Sequence, residues 1–155
     1  LLCIACYQAG IAVVITLSKS ILSRHPAILP ERVLAHSDVA PARKQDPGEK
    51  FPWELLADSG VGHFVRAAPL NVPGMTLMTG YTGDAVQRMQ RLLKTYGYGV
   101  EESGAFDDVT RDVVVAFQRH FRQARVDGVA DPSTLMTLRA LVETMPKRDQ
   151  PDLPQ

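Results

Sequence analysis

Three segments in the second half of the chain place apolar residues three and four positions apart, with polar residues between them. This spacing predicts helices over 83–96, 108–121 and 132–144, because residues so spaced share one helix face. Gly97 is expected to end the first helix, since glycine readily adopts the backbone conformation that follows many helix C termini. The apolar faces are Val86, Met89, Leu92 and Leu93 in the first helix, Val113, Val114, Phe117 and Phe121 in the second, and Leu135, Leu138, Leu141 and Val142 in the third.

A short repeat precedes the second and third of these helices. The pattern Gly-x-x-Asp-x-x-Thr occurs over 104–110 and again over 128–134, an offset of 24 residues from 104 to 128. We interpret it as a tight glycine turn followed by an N-cap aspartate, with the threonine in the first helical turn. Pro132 suits the first position of the third helix. Asp107 and Asp131 are therefore predicted to cap helices rather than to contact a ligand.

The first half of the chain is less regular. Residues 9–24 suit a helix with one broad apolar face, although β-branched side chains leave a strand open for the beginning of this segment. The pair His25-Pro26 is expected to end it, because the residue before proline disfavours the helical conformation. Residues 33–35 form a short apolar run, which we interpret as a buried strand that ends at His36.

A further short helix is predicted after residue 51. Pro52 suits its first position, and Ser59-Gly60 is expected to end it. Trp53 lies beside an apolar pair and is predicted to belong to the core or to the wall of a groove. His63 follows a glycine-rich stretch and is expected at the surface.

Prolines and glycines divide the chain into units. Residues 66–80 contain two prolines and two glycines without sustained periodicity, which is typical of a linker or a loose wrapping segment. We predict a first unit over 1–65, the linker over 66–80 and a helical unit over 81–145. Residues 146–155 are predicted to form a polar, proline-rich tail that frays.

Charge and apolar content exclude several classes of protein. The 155 residues include 17 basic and 17 acidic ones, so nothing favours electrostatic capture of nucleic acid or of an anionic membrane. A hydrophobic content of 45% indicates a globular protein. The apolar residues 1–17 are short for a membrane span of about 20 residues and lack the positive start of a signal peptide. Cys3 and Cys6 have no second ligand pair, so we interpret them as small apolar residues on a helix.

The candidate chemistry is concentrated in residues 36–48, which read His-Ser-Asp-Val-Ala-Pro-Ala-Arg-Lys-Gln-Asp-Pro-Gly, with Phe-Pro-Trp following at 51–53. The prolines fix φ and the final glycine permits a turn that other residues resist, so a shaped loop is predicted. His36 and Asp46 are potential zinc ligands, and Lys44 is a cation that would lie beside whatever the metal holds. Taken without the surrounding motif, the histidine would be a buried strand-end residue and the aspartate a turn former.

This motif resembles the C-terminal part of the zinc-dependent N-acetylmuramoyl-L-alanine amidases with a type 2 amidase domain. The resemblance implies cleavage of the amide between N-acetylmuramic acid and L-alanine in peptidoglycan. It implies that His36 and Asp46 bind zinc and that Lys44 stabilises the charge developing on the substrate carbonyl oxygen. The other zinc-binding histidine and the general-base glutamate of the family lie upstream of the matched region, and we find no positions for them here. We therefore expect that the N-terminal half of a larger domain is absent from this chain.

Residues 80–144 resemble the three-helix peptidoglycan-binding domain often appended to wall hydrolases. The repeated Gly-x-x-Asp-x-x-Thr, Gln90 and the Ala-Phe-Gln of 116–118 carry this resemblance. Together the two resemblances imply an α+β fold, mostly helical as present, in which a truncated amidase α/β remnant precedes a three-helix module. They imply Zn²⁺ as cofactor and peptidoglycan as partner, with no nucleic acid and no membrane span in this chain. They also imply a place in the cell envelope, periplasmic or outer-membrane associated in a Gram-negative-type bacterium.

Two functions of different classes remain open from the sequence. The first is a zinc amidase of which this chain is the C-terminal portion. The second is a non-catalytic wall-binding protein in which the helical module works and the amidase remnant is inert. A third possibility, a cytosolic helical adaptor, would predict no retention on peptidoglycan.

Overall fold

The computed structural model describes the backbone of residues 2–146 and the side chains from residue 8 onward. The predicted mostly helical chain is confirmed, and the described part contains two isolated β-bridges, Leu77 with Ala130 and Thr82 with Ala105. The predicted tail lies almost entirely outside the described residues. The elements are α1 (Leu2–Arg24), a 3₁₀ turn (Pro30–Arg32), α2 (His36–Val39), α3 (Trp53–Asp58), α4 (Asp84–Tyr96), α5 (Asp108–Phe121) and α6 (Pro132–Glu143).

The helices α4, α5 and α6 follow the predicted segments closely because local signals define their ends. Gly83 and Gly97 flank α4 with φ of 113° and 125°, a region that favours glycine. The carboxylate of Asp107 accepts the Thr110 N–H at the start of α5 at 2.8 Å. Asp131 caps α6 in the same way at 2.8 Å, and so the predicted capping role of the repeat is confirmed.

One buried glutamine binds the glycine turn of each repeat. The Gln90 side chain, on α4, accepts the Gly104 N–H at 2.8 Å and donates to the Ala105 carbonyl at 2.9 Å. The Gln118 side chain, one helix later, accepts the Gly128 N–H at 2.9 Å. Each amide therefore satisfies backbone groups of the glycine turn that leads into the next helix. The same contact between a helix glutamine and a glycine turn therefore occurs twice.

The main hydrophobic core lies among these three helices. The aromatic residues Phe106, Phe117 and Phe121 are at most 2% exposed, and Leu138 and Leu141 of α6 lie with them in one cluster. Burial of large aromatic side chains is a dominant favourable contribution to folding. This core holds the second half of the chain together.

The segment predicted as a linker lies against this core. Leu77 is 4% exposed and exchanges backbone hydrogen bonds with Ala130 at 2.9 and 3.0 Å. The backbone of Ala68 binds α6 twice, through Ser133 at 2.6 Å and Thr137 at 3.0 Å. Of the two predicted descriptions, a wrapping segment therefore fits better than a free linker, and the predicted domain boundaries stay a prediction.

A smaller core lies in the first half of the chain. It joins Ile11 of α1 with Ala35, Trp53, Leu56 and Val61, all at most 8% exposed. The predicted core position of Trp53 is confirmed. The strand left open within 9–24 is not formed, since α1 runs through that segment. Leu17 of α1 is 56% exposed, so the small core does not bury all apolar residues of this helix.

The buried strand predicted over residues 33–35 was wrong. Val33 and Ala35 are extended, but the run follows the 3₁₀ turn and leads directly into α2. The Val33 N–H donates to the Pro30 carbonyl at 3.2 Å rather than to a neighbouring strand. A strand needs a pairing partner for its backbone groups, and the described residues give this run none. His36 is consequently the first residue of a short helix.

Candidate functional site

His36 and Asp46, predicted from the sequence as ligands of one ion, lie side by side. His36 opens α2, and the chain returns through a turn at Gly48, whose φ is 83°. The Ser37 N–H donates to the backbone carbonyl of Asp46 at 3.2 Å and closes the loop. The His36 Nδ1 and Asp46 Oδ2 atoms are 2.5 Å apart. The loop therefore brings an imidazole and a carboxylate to one point.

This pair faces solvent. The side chains of His36 and Asp46 are 75% and 58% exposed. The hydrogen bond from His36 lowers the pKa of Asp46, and the positive charge of Lys44 lowers it further. Asp46 is therefore an ionised carboxylate at neutral pH, which is the form that binds a metal.

Lys44 lies two residues before Asp46 on the same exposed loop. Its N–H donates to the Ala40 carbonyl at 3.0 Å, which fixes the backbone while the side chain stays exposed. The ammonium group is close enough to Asp46 to act on its pKa. The structure thus places all three predicted site residues on one solvent-facing loop.

A buried carboxylate that sequence reasoning did not single out fixes α2 from behind. Asp38 has a side chain 2% exposed. It accepts hydrogen bonds from the Ala35 N–H at 2.8 Å, the Tyr98 hydroxyl at 2.7 Å and His120 Nδ1 at 2.8 Å. These three donors offset the hydration that the carboxylate loses on burial. Asp38 therefore links the loop that carries His36 to the helical half of the molecule.

The two donors from the helical half are themselves held in place. The His120 ring stacks on Trp53 with centroids 3.7 Å apart and on Phe121 at 3.8 Å. Burial raises the pKa of the Tyr98 hydroxyl well above its ordinary value, and the adjacent charge of Asp38 raises it further. Tyr98 therefore remains a neutral donor at any physiological pH.

His63, expected at the surface, is half-buried instead. Its Nδ1 lies 3.1 Å from the Tyr96 hydroxyl and its Nε2 lies 3.1 Å from Thr144 Oγ1. Burial lowers the pKa of this imidazole, although the charge of Glu31 acts in the opposite direction. Since both ring nitrogens have protein partners, His63 belongs to the seam between the two halves of the chain. It offers no metal ligand to the loop.

The chemistry of the donor set suits zinc. An imidazole nitrogen and a carboxylate oxygen are ordinary zinc ligands, and both are accessible here. Two ligands on one tetrahedral zinc are roughly 3.3 Å apart, so the present hydrogen bond would open slightly to admit the ion. Among residues 8–146, however, no group of three histidine, cysteine, aspartate or glutamate side chains converges on a metal position. The described part of the chain therefore brings together two side chains of the kinds that bind zinc.

Comparison with known proteins defines the class to which this arrangement is related. Residues 82–138 match the family model described as a putative peptidoglycan binding domain. The chain is 39% identical over 139 residues to the N-acetylmuramoyl-L-alanine amidase AmiD of Escherichia coli, which covers 87% of this chain and 48% of that protein. It spans about half the length of this curated relative.

Solved structures agree with the sequence comparison. The complex of E. coli AmiD with anhydro-N-acetylmuramic acid-L-Ala-D-γ-Glu-L-Lys superposes with a TM-score of 0.65 at 37% identity, over 86% of this chain and 51% of that one. AmpDh3 of Pseudomonas aeruginosa in complex with an anhydromuramic pentapeptide gives a TM-score of 0.62 at 32% identity, over 86% and 51%. The chain is therefore a homologue of the N-acetylmuramoyl-L-alanine amidases of the AmiD and AmpD type. The match over residues 82–138 agrees with the resemblance to a peptidoglycan-binding domain.

Proposed function

We propose that the protein is a peptidoglycan hydrolase that cuts the amide between N-acetylmuramic acid and L-alanine. In this proposal, residues 82–138 bind the same polymer and hold the enzyme on its substrate. The observation that carries the proposal is the 2.5 Å approach of His36 to Asp46 on a loop within the region that matches the amidase AmiD. The AmiD and AmpDh3 complexes with muropeptide ligands support peptidoglycan as the partner.

In this proposal His36 and Asp46 hold a zinc ion. When bound there, zinc would supply Lewis-acid polarisation of the scissile carbonyl and a water of lowered pKa. The low pKa of Asp46 keeps its carboxylate free of a proton. Since a catalytic zinc usually takes three protein ligands, the active enzyme needs a further ligand and a proton-carrying carboxylate beyond the groups that the described residues provide.

Lys44 has a separate role in the proposed reaction. Attack on an amide carbon places negative charge on the carbonyl oxygen, and a cation directed at that oxygen lowers the barrier. Lys44 is exposed on the same loop two residues before Asp46, and its charge contributes to the lowered pKa of that carboxyl. We assign it to stabilisation of the oxyanion.

The proposed place of action is the cell envelope, where peptidoglycan lies. A periplasmic or outer-membrane-associated enzyme of a Gram-negative-type bacterium agrees with the sources of both structural neighbours. Within residues 8–146, no helix has the length and apolar character to cross a bilayer.

The proposal is tested on purified peptidoglycan sacculi in the presence of zinc. One arm measures retention of the protein on sacculi by sedimentation, and the other measures release of stem peptides with a free N-terminal L-alanine. We expect the active enzyme to be retained on sacculi and to release stem peptides. His36→Ala should lose peptide release and keep retention. His25→Ala, which removes an exposed histidine after α1, is the matched control and should keep both.

A second candidate is a peptidoglycan-binding protein without catalysis. The two-donor set of the described residues favours it, because a zinc bound by two protein ligands is weakly held. Retention on sacculi without peptide release, by a protein that carries the further ligand and carboxylate, would support this candidate and end the hydrolase proposal. Absence of retention would contradict both.

A further inference from the structure

A groove on the helical half of the molecule lies away from the His36 loop. It runs between α4 and α6, which pack directly against each other, and the segment before α4 closes one side. Its volume is about 480 Å³, within the usual range for a ligand pocket. Leu77 and Met89, at 4% and 2% exposure, form its floor, while Met75 at the rim is 57% exposed.

The charge of this groove differs from that of the whole chain. The chain has equal numbers of basic and acidic residues. The groove is lined by three arginines, Arg88 and Arg91 from α4 and Arg139 from α6, and by no acidic residue. Arg91 is paired with Glu102 at 3.0 Å. Within the described residues, Arg88 and Arg139 have no ion pair, so two exposed guanidinium groups remain available on opposite walls.

This combination favours a particular ligand chemistry. A guanidinium group binds a carboxylate through two parallel hydrogen bonds, and methionine adapts its shape to varied apolar groups. A short peptide with acidic groups and small apolar side chains would satisfy both features. An unsubstituted glycan would not, because it has no charge for the arginines, and none of the lining residues is aromatic. Nucleic acid is disfavoured by the zero net charge of the chain.

We infer that the groove between α4 and α6 binds the carboxylate-bearing stem peptide of peptidoglycan, with Arg88 and Arg139 holding carboxylates and the apolar floor of Leu77 and Met89 holding the alanine side chains. The inference rests on the proposed function, since it names the part of the wall polymer that the helical half recognises. Its site lies outside the loop proposed for catalysis. The groove would therefore recognise the peptide, while the His36 loop, on a different face of the protein, would remove it from the glycan.

The test measures binding of a soluble tripeptide, L-Ala-γ-D-Glu-L-Lys, to the purified protein by titration calorimetry. A second peptide has both carboxylates converted to amides. The double variant Arg88→Gln/Arg139→Gln removes the two unpaired charges. We expect it to bind the acidic peptide at least about tenfold more weakly, the loss for one charge-assisted contact. The double variant Lys19→Gln/Arg24→Gln removes the same charge from α1 and should bind as the wild type does.

Each outcome is decisive. Equal binding of the acidic and amidated peptides, or equal losses in the two double variants, would overturn the carboxylate role of the groove. Undiminished binding by the Arg88/Arg139 variant would overturn the site, even if retention on sacculi persists and the proposed function stands. Retention on sacculi lost in the groove variant alone, with an unchanged circular dichroism spectrum, supports the inference. If the wild-type protein fails to bind sacculi, the proposed function itself fails.

Discussion

Asp38 shows what a single buried charge does in this protein. Three donors reach its carboxylate, and two of them, Tyr98 and His120, come from residues 60 and 82 positions later in the chain. Both Asp38 and His120 are nearly inaccessible to solvent. Because Asp38 lies two residues after His36, the orientation of the proposed zinc ligand depends on contacts with the helical half.

Replacement of Asp38 should therefore destabilise the fold. We expect Asp38→Asn to lower the free energy of unfolding by about 1–3 kcal/mol, because the amide accepts fewer hydrogen bonds and leaves a buried donor unpaired. Urea denaturation followed by tryptophan fluorescence measures the change, since Trp53 stacks on His120. Asp58→Asn, at an exposed position of α3, should change stability by no more than about 0.5 kcal/mol. Equal effects of the two substitutions would show that the hydrogen bonds of Asp38 do not stabilise the fold.

Lys44 provides a test of the proposed chemistry at one residue. In the active enzyme we expect Lys44→Ala to reduce kcat by about 10²-fold or more, as removal of an oxyanion-stabilising group does. Retention on sacculi should not change, because Lys44 lies outside residues 82–138. Lys19→Ala, on α1, is the matched control for loss of a lysine. A parallel loss of turnover and retention would refute the assigned role.

The helices show how far local sequence signals determine this fold. The range of α5, residues 108–121, agrees with the prediction because a capping aspartate and a clear apolar periodicity define it. The predicted strand before His36 failed because its formation depended on a partner strand, which local pattern does not reveal. The His36–Asp46 approach followed from a motif, whereas the contacts of Asp38 join distant residues and carry no local signal.

We expect the two capping aspartates to contribute unequally to the free energy of unfolding. Asp107→Ala should lower the free energy of unfolding by about 1 kcal/mol, the usual value of an N-cap. Asp131→Ala should cost more, about 3–5 kcal/mol, because Asp131 also pairs at 3.3 Å with the fully buried guanidinium of Arg122. Chemical denaturation of both variants measures the difference. Equal losses would mean that the Arg122 pair contributes nothing beyond the cap.

Across the whole molecule, the two halves meet in a polar seam as well as an apolar one. His63 in the first half contacts Tyr96 of α4 and Thr144 after α6. The buried carboxylate of Glu31 acts electrostatically on His63 and has no hydrogen-bond partner in the described residues. This seam explains why the halves, although separable in sequence, form one body.

Because His63 lies in this seam, we expect the free energy of unfolding to fall as the pH is lowered. Burial keeps the pKa of His63 below its ordinary value of 6.5 in the folded state. The unfolded chain therefore binds this proton more readily, and the contribution of His63 is complete above about pH 6.5 and is lost as the pH falls through the lower folded-state pKa. Urea midpoints between about pH 7.5 and about pH 5 measure the loss. His63→Asn should flatten the dependence and His25→Asn should not; equal slopes in the two variants would contradict this role.

The central claim is that His36 and Asp46 jointly bind zinc, and calorimetric titration of the purified protein with Zn²⁺ tests it most directly. We predict one zinc per chain, with binding abolished by His36→Ala and by Asp46→Ala and unchanged by His25→Ala and Asp58→Ala. Zinc binding that survives both loop substitutions, or an absence of zinc binding in the wild-type protein, would contradict the account.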